Sequence, residues 1–169
     1  RAKWGGFATK MLKFGEKVAA KHADEIIVLS RNVQEYFTRE YGRKTVYIPN
    51  GIERPDKRSP GEITELYGLQ GNDYILFLAR IVPEKGIHYL IEAYKNIKTE
   101  KKLVIAGGCS HSLEYMEKIQ KMCADDPRII MTGFVQGTLL EELYSNAWLF
   151  VLPSDVEGMA ISLLEAMSS

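Results

Sequence analysis

Trp148-Leu149-Phe150-Val151-Leu152-Pro153-Ser154-Asp155-Val156-Glu157-Gly158-Met159-Ala160-Ile161-Ser162-Leu163-Leu164-Glu165-Ala166-Met167 sets the frame for the rest of the chain. The apolar run 148–152 predicts a fully buried strand. Pro153 stops it, because proline has no N–H to give to a ladder. After Gly158 the apolar spacing becomes helical, with Ile161, Leu164 and Met167 on one side. The chain thus makes a strand, a polar turn and a helix. It presents Glu157 in the turn and Glu165 about two helical turns further on. In an open α/β sheet the loops at the carboxyl ends of strands are where ligands bind. A carboxylate there accepts hydrogen bonds from sugar or ribose hydroxyls. Taken alone, the same residues also describe a capped surface helix with two solvated glutamates.

Working back from this stretch, strands and helices alternate from Tyr74 onward. Tyr74–Ala79, Lys102–Ala106 and Ile129–Met131 read as strands, and Ile87–Ile97, Leu113–Cys123 and Thr138–Asn146 as amphipathic helices. In Ile87–Ile97 the inward residues are Leu90, Ile91, Tyr94 and Ile97. Such alternation predicts a parallel sheet covered by helices, a Rossmann-like doubly wound α/β fold. Further upstream, Ser59-Pro60-Gly61-Glu62 has the form of a capping box opening a short helix that ends at Gly68. Residues 5–22 carry a helical stripe of Phe7, Met11, Phe14 and Val18 with lysines opposite. Ala23–Ser30 reads as a buried strand, Ser30 as the N-cap of a helix that Gly42 ends, and Val46–Ile48 as a short strand before the Pro49-Asn50-Gly51 turn.

The composition narrows the function classes. In 169 residues, 46% hydrophobic and 26% charged, a sizeable core is available. Lys+Arg 22 against Asp+Glu 22 leaves no net field, which argues against generic nucleic-acid binding. Any anion site must come from local placement of a few basic groups. The two cysteines, Cys109 and Cys123, match neither a metal-ligand pair nor a disulfide framework, and a reducing cytoplasm is the simplest context. No signal peptide or membrane-length apolar run is visible. The chain begins at Arg1 without a methionine and stops at Ser169 in or just after a helix, so we read it as a fragment.

Several loops carry candidate chemistry. Arg80 and Lys85 lie in Leu78-Ala79-Arg80-Ile81-Val82-Pro83-Glu84-Lys85-Gly86, between a strand and a helix N-terminus. A guanidinium fork, a compact ammonium and the helix's partial positive charge would together clamp a diphosphate. The plainer reading is a loop whose charges pair locally, Lys85 with Glu84 or Glu92. Ala106-Gly107-Gly108-Cys109 lacks the spacing of a nicotinamide-binding turn, and no Walker A motif occurs. Thr132-Gly133-Phe134-Val135 passes backbone from a strand end, and Gly158–Ile161 heads the last helix, where amides can face an anion. His22, His88 and His111 have no carboxylate or serine spaced with them and read as surface histidines.

In this order, these segments resemble the donor-binding half of glycosyltransferase family 4, retaining enzymes of the GT-B fold. The resemblance runs from about Ala23 to the end. It rests on Ala23-Asp24 with Ser30, Ile48-Pro49-Asn50-Gly51, Arg80 with Glu84-Lys85-Gly86, and Ile105-Ala106-Gly107. It continues through Thr132-Gly133-Phe134, Leu152-Pro153-Ser154 and the Glu157–Glu165 pair with Leu164-Glu165-Ala166-Met167. The resemblance implies that residues 1–47 are the tail of an N-terminal acceptor domain with its hinge, and that 48–169 are a nucleotide-sugar-binding domain truncated at its C-terminus.

It further implies catalytic roles for Arg80, Lys85 and Glu157, the two cations neutralising the leaving diphosphate and Glu157 orienting the donor sugar. Donor contacts are implied for Gly107, Phe134, Val135, Gly158, Met159, Ala160, Ile161 and Ser162, with Glu165 on the ribose. No Asp-x-Asp metal motif occurs, and no metal or other cofactor is expected. The implied partners are a UDP- or GDP-sugar and a glycan or lipid-linked acceptor, with no nucleic acid. The implied location is cytoplasmic, peripheral at the inner membrane face through the absent N-terminal domain. Ala79 stands where a glycine commonly precedes the arginine, and Met159-Ala160 replaces the usual Phe-Gly, so the identity of the sugar is left open. Alternatives on the same fold are a nucleotide-sugar epimerase, a phosphorylase-like protein, or a non-catalytic binding module.

Overall fold

The computed structural model describes residues 5–53, 55–109 and 113–169. They fall into two units, Arg1–Asn50 and Gly51–Ser169, each described by itself. The first holds α1 (Gly6–His22), β1 (Ile27–Val28), α2 (Arg31–Tyr41) and β2 (Val46–Tyr47), with β1 and β2 paired in parallel. Ser30 caps α2 by accepting the Val33 N–H at 3.3 Å, and Gly42 ends the helix, both as the sequence implies. Glu16 on α1 accepts the hydroxyls of Tyr36 and of Tyr41, the latter at 2.7 Å, joining the two helices. Ala23–Ser30 is not a buried strand. Only two of its residues enter the ladder and of those only Val28 is buried, because the strand has a single partner.

The second unit holds α3 (Glu62–Tyr67), β3 (Tyr74–Leu78), a 3₁₀ turn (Pro83–Lys85) and α4 (Ile87–Lys95). It continues with β4 (Lys102–Ala106), α5 (Leu113–Cys123), β5 (Ile129–Gly133), α6 (Gly137–Asn146), β6 (Leu149–Phe150) and α7 (Ile161–Ser168). The four strands form one parallel sheet in the order β5-β4-β3-β6. Alternation along the strands builds two cores. Ile75, Phe77, Leu103 and Ile105 face Ile87, Ile91 and Tyr94 of α4 and Ile119 of α5. Tyr74, Leu76, Val104 and Ala106 face Ile63 of α3 and Leu143 and Tyr144 of α6. Helices therefore cover both faces, which is the doubly wound arrangement expected.

Four details differ from the sequence reading. The helix α3 starts at Glu62 with Gly61 as its N-cap, so Ser59 lies too far upstream to cap it. The cap comes instead from α6: the buried Glu142 accepts the N–H of Gly61 at 2.9 Å and of Ile63 at 3.0 Å. Ile97 is exposed, because α4 ends at Lys95. The run 148–152 is not fully buried: Trp148 and Leu149 are exposed because, among the described residues, β6 lies at the edge of the sheet and pairs only with β3. On α7 likewise, Ile161 and Met167 are exposed, and Ala166 is the residue that packs onto the second core.

Candidate functional site

The chain leaves β3 toward β4 and β5 on one side, then returns across the sheet to place β6 on the other side of β3. Loops leaving β3 and β6 therefore diverge to opposite faces, and the crevice between their carboxyl ends is where ligands bind in such sheets. The β3 loop carries Arg80 and Lys85, and the β6 loop carries Ser154 and Glu157.

The two loops meet through backbone. Asp155 donates its N–H to the Glu84 carbonyl at 3.0 Å. Gly86 sits in the left-handed region at φ 68°, and a Cβ there would collide with the Pro153 carbonyl oxygen. Only glycine permits this approach. It brings the Lys85 ammonium to 2.5 Å from Glu157 Oε2, and Ser154 Oγ donates to the same oxygen at 3.2 Å. The side chains of this pair are only 16% and 31% exposed, so the charges attract through a partly desolvated space. The Lys85 ammonium bonded to Glu157 holds its carboxyl below the usual range, against the opposing pull of burial, with help from Ser154 and the Gly158 N–H. The sequence reading offered Glu84 or Glu92 as local partners for Lys85; the ion pair is instead with Glu157, 72 residues away.

Beside this corner lies a cavity of about 310 Å³ walled by Leu78, Ala79, Arg80, Gly107, Phe134 and Val135, with Gly108 and Cys109 at its edge. Its floor is backbone. Gly107 has φ 144°, donates to the Gly133 carbonyl at 2.8 Å, and lies so close to Ala79 that a Cβ would strike the Ala79 carbonyl. Phe134 stands out from the wall, 75% exposed, while Val135 is buried behind it. A wall of this kind, apolar with one flat aromatic face and one guanidinium, suits a planar ring joined to an anion. Arg80 is exposed and makes no ion pair with any described residue.

Glu165 is placed elsewhere. It lines a second hollow, about 430 Å³, with Ile52, Pro55, Leu140 and Tyr144, to which Glu53, Asp56 and Glu141 add carboxylates. Tyr144 donates its hydroxyl to Glu165 Oε2 at 2.8 Å. The expected residues thus form three groups: Arg80 with Gly107, Phe134 and Val135; Lys85 with Glu157; and Glu165 with Tyr144. Met159, Ala160, Ile161 and Ser162 run from the β6 loop into α7; Ala160 is buried at its N-cap and Ile161 is exposed. Among residues given no site role from sequence, Ser154 and Tyr144 each hold one of the two glutamates, and Cys109 lines the cavity. The chain offers a signal for Tyr144 only in retrospect, as a polar-tipped aromatic on the inward face of an amphipathic helix.

His88, read as a surface histidine with no carboxylate or serine partner, is half-buried and shares a hydrogen bond between Nδ1 and the Tyr115 hydroxyl at 2.8 Å; His111 lies outside the described residues. Both cysteines are free, and burial pushes the Cys123 thiol up to about 11, the mark of an inert core cysteine. Among the described residues no cluster of acidic, histidine or cysteine side chains could hold a metal ion. No helix among them is long and apolar enough to cross a membrane.

Residues 65–169 match the family model for glycosyl transferases group 1, and the chain belongs to that family. Residues 1–53 match a domain of unknown function, DUF1972. An uncharacterised glycosyltransferase of Methanocaldococcus jannaschii is 37% identical over 105 residues, 60% of this chain and 27% of that protein. The GDP-mannose-dependent alpha-(1-6)-phosphatidylinositol monomannoside mannosyltransferase of Mycolicibacterium smegmatis is 29% identical over 163 residues, 85% of this chain and 42% of that protein. The crystal structure of HepE from Anabaena with UDP and glucose superposes with a TM-score of 0.80 at 22% identity, covering 94% of this chain and 46% of that one. This likeness shows the fold, that of the GT-B glycosyltransferases. The chain spans less than half the length of these relatives.

Proposed function

We propose that this chain is the donor-binding half of a family 4 glycosyltransferase, which moves a sugar from a nucleoside-diphosphate sugar to a glycan or lipid-linked acceptor with retention of anomeric configuration. One observation carries the reading: at the switch point of the sheet, the β3 and β6 loops bring Lys85 to Glu157, and Arg80 of the same β3 loop lines the adjoining cavity.

In this reading the base lies in the Phe134–Val135 cavity, and the Gly107 backbone forms its floor. Arg80 and Lys85 take the diphosphate. As the bond from the anomeric carbon to the phosphate oxygen breaks, these cations stabilise the charge gathering on the leaving group, without a metal ion. The acceptor oxygen bonds to the anomeric carbon from the face the diphosphate leaves, which retains the configuration, and its proton passes to the departing phosphate. Glu157 accepts hydroxyls of the donor sugar, Glu165 those of the ribose, and amides of 158–162 approach sugar and phosphate. Residues 1–47 belong to the acceptor half, and the enzyme works in the cytoplasm at the inner membrane face. The relatives support a sugar-nucleotide donor: the mycobacterial protein is named for GDP-mannose, and HepE was crystallised with UDP.

Calorimetry with UDP and GDP on the full-length protein, with and without Arg80→Ala, tests the binding half of the reading. Loss of affinity in the variant is expected, and equal affinity refutes the site. Transfer from the matching labelled sugar nucleotide, with the anomer of the product read by NMR, tests the rest. An inverted product rules out retention, and release of epimerised free sugar indicates an epimerase.

A further inference from the structure

We infer that Tyr144 is a positioning residue for Glu165, fixing that carboxylate so that its second oxygen meets the vicinal hydroxyls of a ribose. The inference rests on the reading above, in which Glu165 receives the ribose of the donor nucleotide, and it assigns a role to a residue on a different helix.

The geometry is specific. Tyr144 is buried on α6 and packs its ring against Phe150 of β6 with centroids 6.0 Å apart. Ring and backbone are thus held by the core, and the hydroxyl has one direction in which to point. It donates to Glu165 Oε2 at 2.8 Å, while Oε1 takes no bond from any described residue. Burial first, and then the bond to Glu165 and its charge, push the phenol well above its ordinary range, so the hydroxyl stays protonated and remains a donor. A free glutamate samples many rotamers; one oxygen tied to a rigid phenol leaves the other aimed at a single place.

The surroundings state what that oxygen can receive. Glu53, Asp56 and Glu141 share the hollow, and Arg58 engages Glu141 at 2.8 Å. A phosphate would be repelled by this many carboxylates. Neutral hydroxyls, which donate to carboxylates, would be held. The cations Arg80 and Lys85 are absent from this hollow, so phosphate and hydroxyl recognition are divided between two regions of the unit.

The test uses Tyr144→Phe, which removes only the hydroxyl, and Glu165→Gln, each in the full-length protein, with circular dichroism and melting to confirm folding. Affinities for UDP and GDP are measured beside their 2′,3′-dideoxy counterparts. Tyr144→Phe is expected to weaken the ribonucleotide roughly fivefold to tenfold, the net size of one ordinary hydrogen bond. It is expected to leave the dideoxy nucleotide unchanged and to add nothing in the Glu165→Gln background. Equal weakening of ribo- and dideoxynucleotide shows a general packing role and overturns the inference. If Glu165→Gln weakens the ribonucleotide and Tyr144→Phe does not, the positioning role alone falls. If Glu165→Gln changes nothing, the ribose reading of Glu165 falls, and the inference with it.

Discussion

Glu142 and Glu157 each reach from one element to another, and each carboxyl is held below the usual range, yet their partners differ in kind. At the α6–α3 corner, burial pulls the Glu142 carboxyl up. The N–H groups of Ile63, Gly61 and Glu62, with the Arg58 charge, outweigh it and hold the group ionised. Those donors belong to a helix end that has no other cap, and no ligand arriving from solvent can take their place. At the β3–β6 corner the partner of Glu157 is the Lys85 ammonium, the side chain that in the proposed reading turns to an incoming phosphate. One carboxylate is committed to the fold. In the proposed reading, the other makes a bond that is exchanged for a substrate.

The sharpest way to break this contrast is Glu142→Ala. Leaving the buried Ile63 N–H and the half-buried Gly61 N–H without acceptors should cost about 3 kcal/mol and lower Tm by roughly 10 °C. Nucleoside-diphosphate affinity, measured well below the transition, should stay as in the parent. A melt unchanged from the parent would remove the structural side of the comparison.

Arg80→Ala should do the reverse. Affinity for UDP or GDP is expected to fall about thirtyfold, or ~2 kcal/mol, the scale of a charge-assisted contact to phosphate. The melt should move by less than about 0.5 kcal/mol, since the side chain is exposed.

Glu157→Gln sharpens the exchange argument. It frees Lys85, so the bare nucleoside diphosphate should bind about threefold tighter, in line with the modest worth of a half-shielded ion pair. Transfer from the intact donor should drop more than about tenfold, because a sugar-facing acceptor has lost its charge. Weaker binding of the bare nucleotide would show that the ion pair is part of the phosphate site rather than a competitor for it.

The smallest expected effect is on acid stability. The folded Glu142 carboxyl titrates below its ordinary value of 4.5. Its contribution is therefore fully present above that pH and is lost as pH falls through the lower, folded value. Denaturant midpoints for Glu142→Gln should be flatter with pH across this acid window than those of the parent, and the two should run parallel at neutral pH.

Local pattern explains which parts of the fold could be read from the chain. The bounds of β4 and α5 agree with the sequence reading residue for residue. Each is an unbroken pattern, buried on both faces in one case and on one face in the other. The reading failed at the edges: β6 is apolar like a central strand, but it has one neighbour, and pattern records apolarity rather than position in the sheet. The candidate site was legible only as residue types at strand ends. Its pairings were not, because Lys85–Glu157 and Tyr144–Glu165 join residues 72 and 21 apart, and the Glu142–Ile63 cap of the fold joins residues 79 apart. A short-range rule such as the capping box proposed Ser59 for a task that a distant glutamate performs.

The contact between Gly107 and the Ala79 carbonyl has a consequence for anyone who would retarget this protein. Two neighbouring strand ends are pressed together there with no room for an added methyl, so the cavity bottom cannot be recarved by substitution without prising the sheet apart. In the proposed reading, in which this cavity takes the base, preference for one nucleotide over another is tuned around the rim, at Cys109 and Phe134, both exposed. A library confined to those positions should alter selectivity while leaving the scaffold intact.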